Sequence, residues 1–276
     1  MKRLECCQRL NNTLQISAIG SLRYLPCRHA GMVCGSFAEL LATRRILATG
    51  GKRCAVCEHR KEPLVEFRDE DFRPERIVLA SSMKCNLACY YCWRNIHRED
   101  YKRNLFDTFA PVLEKRFIAK AKRLDWIMGE FYFDEYGRNQ FLEYGRKYGL
   151  RLHVVTNGVL YDPAIPVDSI TLSLHGFDRE SYIHNTGSDV FADVCAAIKK
   201  MPEGVLTDVN VVMCAYNREH VTELAEFIIG CIPKAALVRL AFCVGDSRRT
   251  GKIKGERKVL RGVLEKAGYN VTMRGA

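Results

Sequence analysis

From Glu75 onward the chain alternates short β-rich runs with stretches of helical periodicity, and this alternation constrains the fold more than any other feature. ERIVLASS, LDWIMG, LHVVT, SITLSL, TDVNVVM and ALVRLAF read as six strands. Between them, Pro111 to Arg123, Gln140 to Tyr148, Val190 to Met201 and His220 to Ile229 repeat apolar residues at helical spacing. Strands separated by helices imply right-handed βαβ crossovers and a parallel sheet, an α/β fold. In such folds the chemistry gathers on loops at the C-terminal ends of the strands. The tail from Asp246 is strongly basic, with one helix and one strand expected in it.

Cysteine usage narrows the function. The chain of 276 residues holds 13 cysteines, an odd number. Its N-terminus, MKRLECCQRLNN, has no apolar core of a signal peptide, so a cytoplasmic location is expected. A disulfide framework fits such a chain poorly; metal ligands, catalytic thiols or small core residues fit better. Apolar residues at 47% and charged residues at 27% match a globular protein and exclude a disordered one. No apolar run approaches the eighteen or so residues of a membrane span, so no membrane partner is expected. The net charge of +11 suits an acidic partner, or simply a basic surface.

The first predicted strand runs into CNLACYYC, which spaces Cys85, Cys89 and Cys92 as C-x-x-x-C-x-x-C. Three thiolates on a tight loop can hold three irons of a [4Fe–4S] cube and leave the fourth open to a small molecule. A zinc site would more often use paired C-x-x-C units.

These residues resemble the radical SAM superfamily, and further strand ends carry the likeness. Tyr91 precedes the last cysteine, where the family has an aromatic residue near the adenine. Met128-Gly129-Glu130 stands where the family has Gly-Gly-Glu, with the first glycine missing; Gly129 and Glu130 are then expected near the methionyl amine of S-adenosylmethionine (SAM). LHVVTNG ends in Thr156, Asn157 and Gly158. SLHG supplies Ser173, expected near the ribose, with His175 in place of an aspartate and Gly176 after it. Asn217 follows the fifth strand. The resemblance covers about Arg76 to Gly245 and implies a partial (β/α)6 TIM barrel. It also implies reductive cleavage of SAM to a 5′-deoxyadenosyl radical, which takes hydrogen from an unactivated C–H bond. Cys85, Cys89 and Cys92 are the expected catalytic ligands, and a one-electron reductant such as flavodoxin or ferredoxin is the expected redox partner.

The N-terminal segment has its own pattern. Ser36 and Glu39 make a capping-box start, and Gly50-Gly51 stop the helix just before Cys54-x-x-Cys57. This resembles the SPASM or twitch extension of radical SAM enzymes, although here it precedes the core. It implies a small cysteine-rich α+β domain over residues 1–72 with one auxiliary [4Fe–4S] cluster. Its expected ligands are Cys27, Cys54, Cys57 and one of Cys6 or Cys7, with Cys34 as a substitute; structural zinc on the same thiolates is the rival reading. The barrel is then expected over 73–250 and the basic tail over 251–276. Cys195, Cys214, Cys231 and Cys243 read as small core residues, with Cys214 and Cys243 placed near strand ends where a thiol could donate a hydrogen atom.

SPASM-type extensions accompany chemistry on peptides, proteins and some metabolites. The expected substrate is therefore a peptide or small molecule undergoing crosslinking, dehydrogenation or epimerisation. Cys92-Trp93-Arg94 also resembles the cluster loop of tRNA wybutosine synthases, which makes RNA modification the second expectation, without an RNA-recognition signature elsewhere. A non-catalytic zinc-binding nucleic-acid adaptor is the alternative from another class. It leaves the three-cysteine loop without a fourth ligand.

Overall fold

The computed structural model describes residues 5–7, 10, 12–17, 22–26, 33–49, 64–67, 72–80, 82–92, 105–242 and 250–273. The chain divides into two compact units. One takes Met1–Ser82, Lys102–Gly129 and Tyr136–Leu152; the other takes Met83–Tyr101, Glu130–Glu135 and His153–Ala276.

In the first unit, strands β1 (Glu5–Cys7), β2 (Thr13–Ser17) and β3 (Arg23–Leu25) precede helix α1 (Phe37–Ala48), β4 (Leu64–Glu66) and β5 (Arg76–Ala80). Next come α2 (Leu105–Arg116), β6 (Arg123–Trp126) and α3 (Glu135–Tyr148). Strands β1 and β4 form an antiparallel pair. The larger sheet runs β3-β2-β5-β6, with β2–β5 and β5–β6 parallel and β2–β3 antiparallel. It therefore draws strands from both sides of the 72/73 boundary expected from the sequence. Leu14, Ile16, Ile77, Leu79 and Leu124 are fully buried along it.

Helix α1 starts as expected. The Ser36 hydroxyl accepts from the Glu39 backbone N–H at 3.1 Å, and the Glu39 carboxylate accepts in return from the Gly35 N–H at 2.7 Å. Helix α2 starts six residues before the expected Pro111. Proline inside a helix removes a hydrogen bond and costs about 3 kcal/mol. Here Phe109, Leu113 and Phe117 bury completely on one face, and that burial offsets the cost.

The second unit holds β7 (Arg151–Thr156, from His153 onward), β8 (Ser169–Leu174), β9 (Leu206–Met213), β10 (Leu237–Phe242) and β11 (Val271–Met273). Their order is β7-β8-β9-β10-β11 and every neighbour is parallel. The sheet is mostly parallel and open, as the alternation of strands and helices requires. Helices α4 (Arg179–Thr186), α5 (Phe191–Lys200), α6 (Ala215–Glu219), α7 (Val221–Cys231) and α8 (Thr250–Lys266) connect the strands. The tail thus holds one helix and one strand, as expected.

Helix α4 was missed by apolar periodicity. It is a short polar helix announced by its ends instead: Asp178 and Ser181 form a reciprocal capping box, and Gly187 closes it in the left-handed region at φ 74°. No helix among the described residues is long and apolar enough to cross a membrane.

Candidate active site

The cysteine loop follows β5 and belongs to the second unit. Cys89 is buried, while Cys85 and Cys92 are half-buried. A turn closes the loop, with the Cys92 N–H donating to the Cys89 carbonyl at 3.0 Å. The Leu87 N–H lies 3.5 Å from the Cys85 sulfur and the Asn157 amide 3.8 Å from it. Burial, and then the neighbouring Cys85 and Cys92, push the Cys89 thiol up to about 12, against a hydrogen bond from Tyr91.

This donor set fits an iron–sulfur cube. Thiols crowded enough to resist ionising together are ones a bound cation would deprotonate. N–H groups aimed at sulfur are the contacts that tune such a cluster. Among the described residues no three His, Cys, Asp or Glu side chains gather to hold a single ion. A cube asks for one thiolate per iron and so tolerates separated sulfurs.

The strand ends meet this loop. Asn157, after β7, donates to Asn86 of the loop at 2.8 Å, and its own Oδ1 accepts from the Val159 N–H. Glu130 is fully buried and its N–H donates to the Lys84 carbonyl at 2.7 Å. Its carboxylate accepts from the Thr156 hydroxyl at 2.6 Å, the Asn157 N–H at 2.7 Å and the Tyr132 N–H at 3.2 Å. Burial dominates those hydrogen bonds and raises its carboxyl to about 7. Gly129 adopts φ 65°, a left-handed turn that any other residue would resist.

His175, after β8, hydrogen-bonds through Nδ1 to the Tyr91 hydroxyl at 2.5 Å, and the two rings stack. Burial lowers its imidazole to about 4. The expected result is a neutral His175 down to about pH 5 by NMR titration of its ring; a midpoint near 6.5 would contradict it. Because the unfolded imidazole protonates first, this residue's contribution to stability falls as the pH drops from 6.5 towards 4.

Ser173 is half-buried on β8. Asn217 is fully buried, and its side chain is engaged within the protein. It donates to the His175 carbonyl at 3.0 Å and the Val212 carbonyl at 2.7 Å, and accepts from Asn185 at 2.9 Å. The expected glycines serve packing. A Cβ on Gly176 would lie 2.3 Å from the Ser181 hydroxyl and 3.0 Å from Tyr182; one on Gly158 would lie 2.8 Å from Leu172. Helix α4 and β8 approach these backbones.

Sequence reasoning missed Asn185 altogether. Its carbonyl accepts from the Tyr90 N–H at 3.4 Å, next to the Thr186 carbonyl that accepts from Ala88 at 3.2 Å. Its amide donates to the His175 carbonyl at 2.7 Å and to Asn217, while its Oδ1 accepts from the Cys214 thiol at 3.2 Å. One buried residue thus ties the cysteine loop, through its backbone carbonyl, to the ends of β8 and β9, through its side chain. The signal lay in the capped helix α4, whose penultimate residue it is. Asn185→Ala is expected to cost about 2–4 kcal/mol in urea unfolding, since it strands several buried polar groups.

The other cysteines divide. Cys6 is buried with Leu10, Leu47 and Ala48. Cys34 is buried and donates to the Thr43 hydroxyl at 3.5 Å. The Cys7 backbone lies in β1. Cys27, Cys54, Cys57 and Cys243 fall outside the described residues. Cys214 is buried, as read from the sequence, but Cys231 is exposed at the end of α7 and is not a core residue.

The chain belongs to the radical SAM superfamily: that family's model matches residues 80–228, more than half of the sequence. The family implies a [4Fe–4S] cluster and SAM. An uncharacterized protein of Methanocaldococcus jannaschii is 29% identical over 153 residues, 52% of this chain and 50% of that protein. The chain spans about half the length of this curated relative. The fold is similar to that of Streptococcus suis SuiB bound to SAM, at 19% identity and a TM-score of 0.54 over 74% of this chain and 51% of that one. It is also similar to anSMEcpe with bound AdoMet, at 17% identity and a TM-score of 0.55 over 71% of this chain and 60% of that one.

Proposed function

We propose that this protein is a radical SAM enzyme acting on a peptide or a small biosynthetic intermediate. The observation that carries the reading is the loop of Cys85, Cys89 and Cys92, held by Asn157 and Asn185 against three strand ends. Cys85, Cys89 and Cys92 would hold a [4Fe–4S] cluster, which together with SAM would supply the one-electron chemistry for removing hydrogen from an unactivated carbon.

The residues around the loop have separate tasks. Gly129 and Glu130 face the methionyl end, with Glu130 fixing the turn through Thr156 and Asn157. Ser173 offers a hydroxyl to the ribose. Tyr91, oriented by His175, lies against the adenine side. Asn217 acts through the His175 carbonyl, which makes it a positioning residue.

Peptide chemistry is favoured because similar folds include SuiB bound to precursor peptide SuiA and anSMEcpe with a Cp18Cys peptide. The N-terminal cysteines Cys27, Cys54 and Cys57, with Cys6 or Cys7, would hold an auxiliary [4Fe–4S] cluster. Of the two fourth-ligand candidates, Cys6 is buried in an apolar cluster beside Arg44. The reductant is a small one-electron carrier of the flavodoxin or ferredoxin type, and the location cytoplasmic. Formation of 5′-deoxyadenosine from SAM under dithionite, by anaerobically reconstituted protein, tests the reading; its absence would refute it.

A further inference from the structure

Helices α5 and α7 pack side by side in the second unit. Helix α5 leads into β9 and α7 into β10, and these two strands are parallel, so the helices point the same way. Phe191 at the start of α5 and Phe227 on α7 mark their contact, with ring centroids 5.4 Å apart. Four residues further along each helix stands a cysteine, Cys195 on α5 and Cys231 on α7. Four residues are about one turn, so both thiols lie on the contacting faces, about 6 Å beyond the phenyl pair.

The pair is open on one side and braced on the other. Cys231 is exposed and Cys195 is half-buried. A Cβ placed on Gly230 would meet nothing within 4 Å among the described residues, which leaves room for a small molecule beside Cys231. The Tyr269 hydroxyl is shared between the Ile228 carbonyl at 3.1 Å and the Ile232 carbonyl at 2.8 Å, and it holds the last turn of α7 in place. The two sulfurs also feel one another: burial, and then Cys231, raise the Cys195 thiol, against the Lys199 ammonium one turn along. Packed helix axes lie about 9 Å apart with Cα atoms about 2.3 Å off each axis, so facing positions fall about 4–7 Å apart, the span of a disulfide.

We infer that Cys195 and Cys231 form a thiol–disulfide exchange site, separate from the cysteine loop, that reacts with low-molecular-weight disulfides. The thiolate of Cys231, the exposed member, attacks one sulfur of the small disulfide; a mixed disulfide forms on Cys231 and one small thiolate leaves. Cys195, its thiolate favoured by Lys199, then attacks the Cys231 sulfur. The Cys195–Cys231 bond forms, the mixed bond breaks and the second small thiolate leaves. The two protein thiols are thereby oxidised by two electrons, the small disulfide is reduced to two thiols, and these take up the two protons. The new bond joins the helices that lead into β9 and β10. Cys214, fully buried at the end of β9, is closed to such a reagent.

Peptide mapping tests this. The reconstituted full chain, kept anaerobic, is incubated with oxidised glutathione, blocked with N-ethylmaleimide, digested with trypsin without reductant and read by mass spectrometry. Cleavage after Arg179, Lys199, Lys200, Arg218 and Lys234 places Cys195, Cys214 and Cys231 in separate peptides, 180–199, 201–218 and 219–234. The expected result is 180–199 joined to 219–234 at least about ten-fold more than either is joined to 201–218, with the link lost on reduction. Cys195→Ser removes the second attacking thiol and should leave glutathione held on 219–234; Cys195→Ala serves if the serine variant fails to melt cooperatively. No link between the two peptides in the parent, links to 201–218 at a comparable level, or no glutathione on 219–234 in the variant would overturn the inference.

Discussion

Cys89→Ala is expected to abolish formation of 5′-deoxyadenosine from SAM, a loss of at least about a thousand-fold. Cys89 is the middle and most buried of the three loop cysteines, with neighbours on both sides and a hydrogen bond from Tyr91. Removing it leaves two thiolates for a cube that needs three. Cluster assembly should fail with it, visible as loss of bound iron and acid-labile sulfide. The fold should survive, because Ala88 and Tyr90 remain tied to α4 through their backbones. Cleavage at the parental rate in a folded variant would end the case for this loop as the catalytic centre.

The second large effect concerns stability. Glu130→Ala is expected to lower the free energy of unfolding by about 3–5 kcal/mol. The substitution leaves the Thr156 hydroxyl and the Asn157 and Tyr132 N–H groups without their acceptor in a fully buried site. Glu130→Gln separates charge from shape. Burial raises the folded carboxyl above its unfolded value of 4.5 to about 7, so the folded state holds its proton more tightly. The parent should then lose stability as the pH rises from about 4.5 towards 7, and the glutamine variant should lack that slope. Urea unfolding of the two proteins at pH 5 and pH 7.5 measures it. A loss below about 1 kcal/mol in the alanine variant, with parallel slopes for parent and glutamine, would contradict this role.

Much of the fold was legible because its strands are buried on one face and separated by amphipathic helices. SITLSL, TDVNVVM and ALVRLAF all became strands within a residue or two of their expected ends. Elements that depend on polar ends rather than apolar stripes were not. The buried stripe of helix α4 is mostly polar, with Ser181, Asn185 and Thr186 beside Tyr182, and its ends are set by Asp178, Ser181 and Gly187. Missing it hid Asn185, whose importance lies in contacts 10 and 32 residues away in sequence. Pro111 misled in the opposite direction, since tertiary burial of Phe109 and Leu113 carried the helix through it.

The site divides along the same line. Cys85, Cys89, Cys92 and Tyr91 share one local motif, so spacing alone gathered them. Glu130, Asn157 and His175 come together because parallel strands end at one level, and the order of strand ends was enough to nominate them. What each side chain touches was not legible. Glu130 and Asn217 make their hydrogen bonds inside the protein, and Gly176 makes room for Ser181.

The most direct measurement is a count of iron and acid-labile sulfide in anaerobically reconstituted protein, beside a variant with Cys85, Cys89 and Cys92 all changed to Ala. Two [4Fe–4S] clusters predict about eight irons in the parent and about four in the variant. About four falling to none would leave the cysteine loop as the catalytic cluster and make the N-terminal cysteines a zinc or purely structural site. Zinc in both proteins with no iron would contradict the radical reading outright.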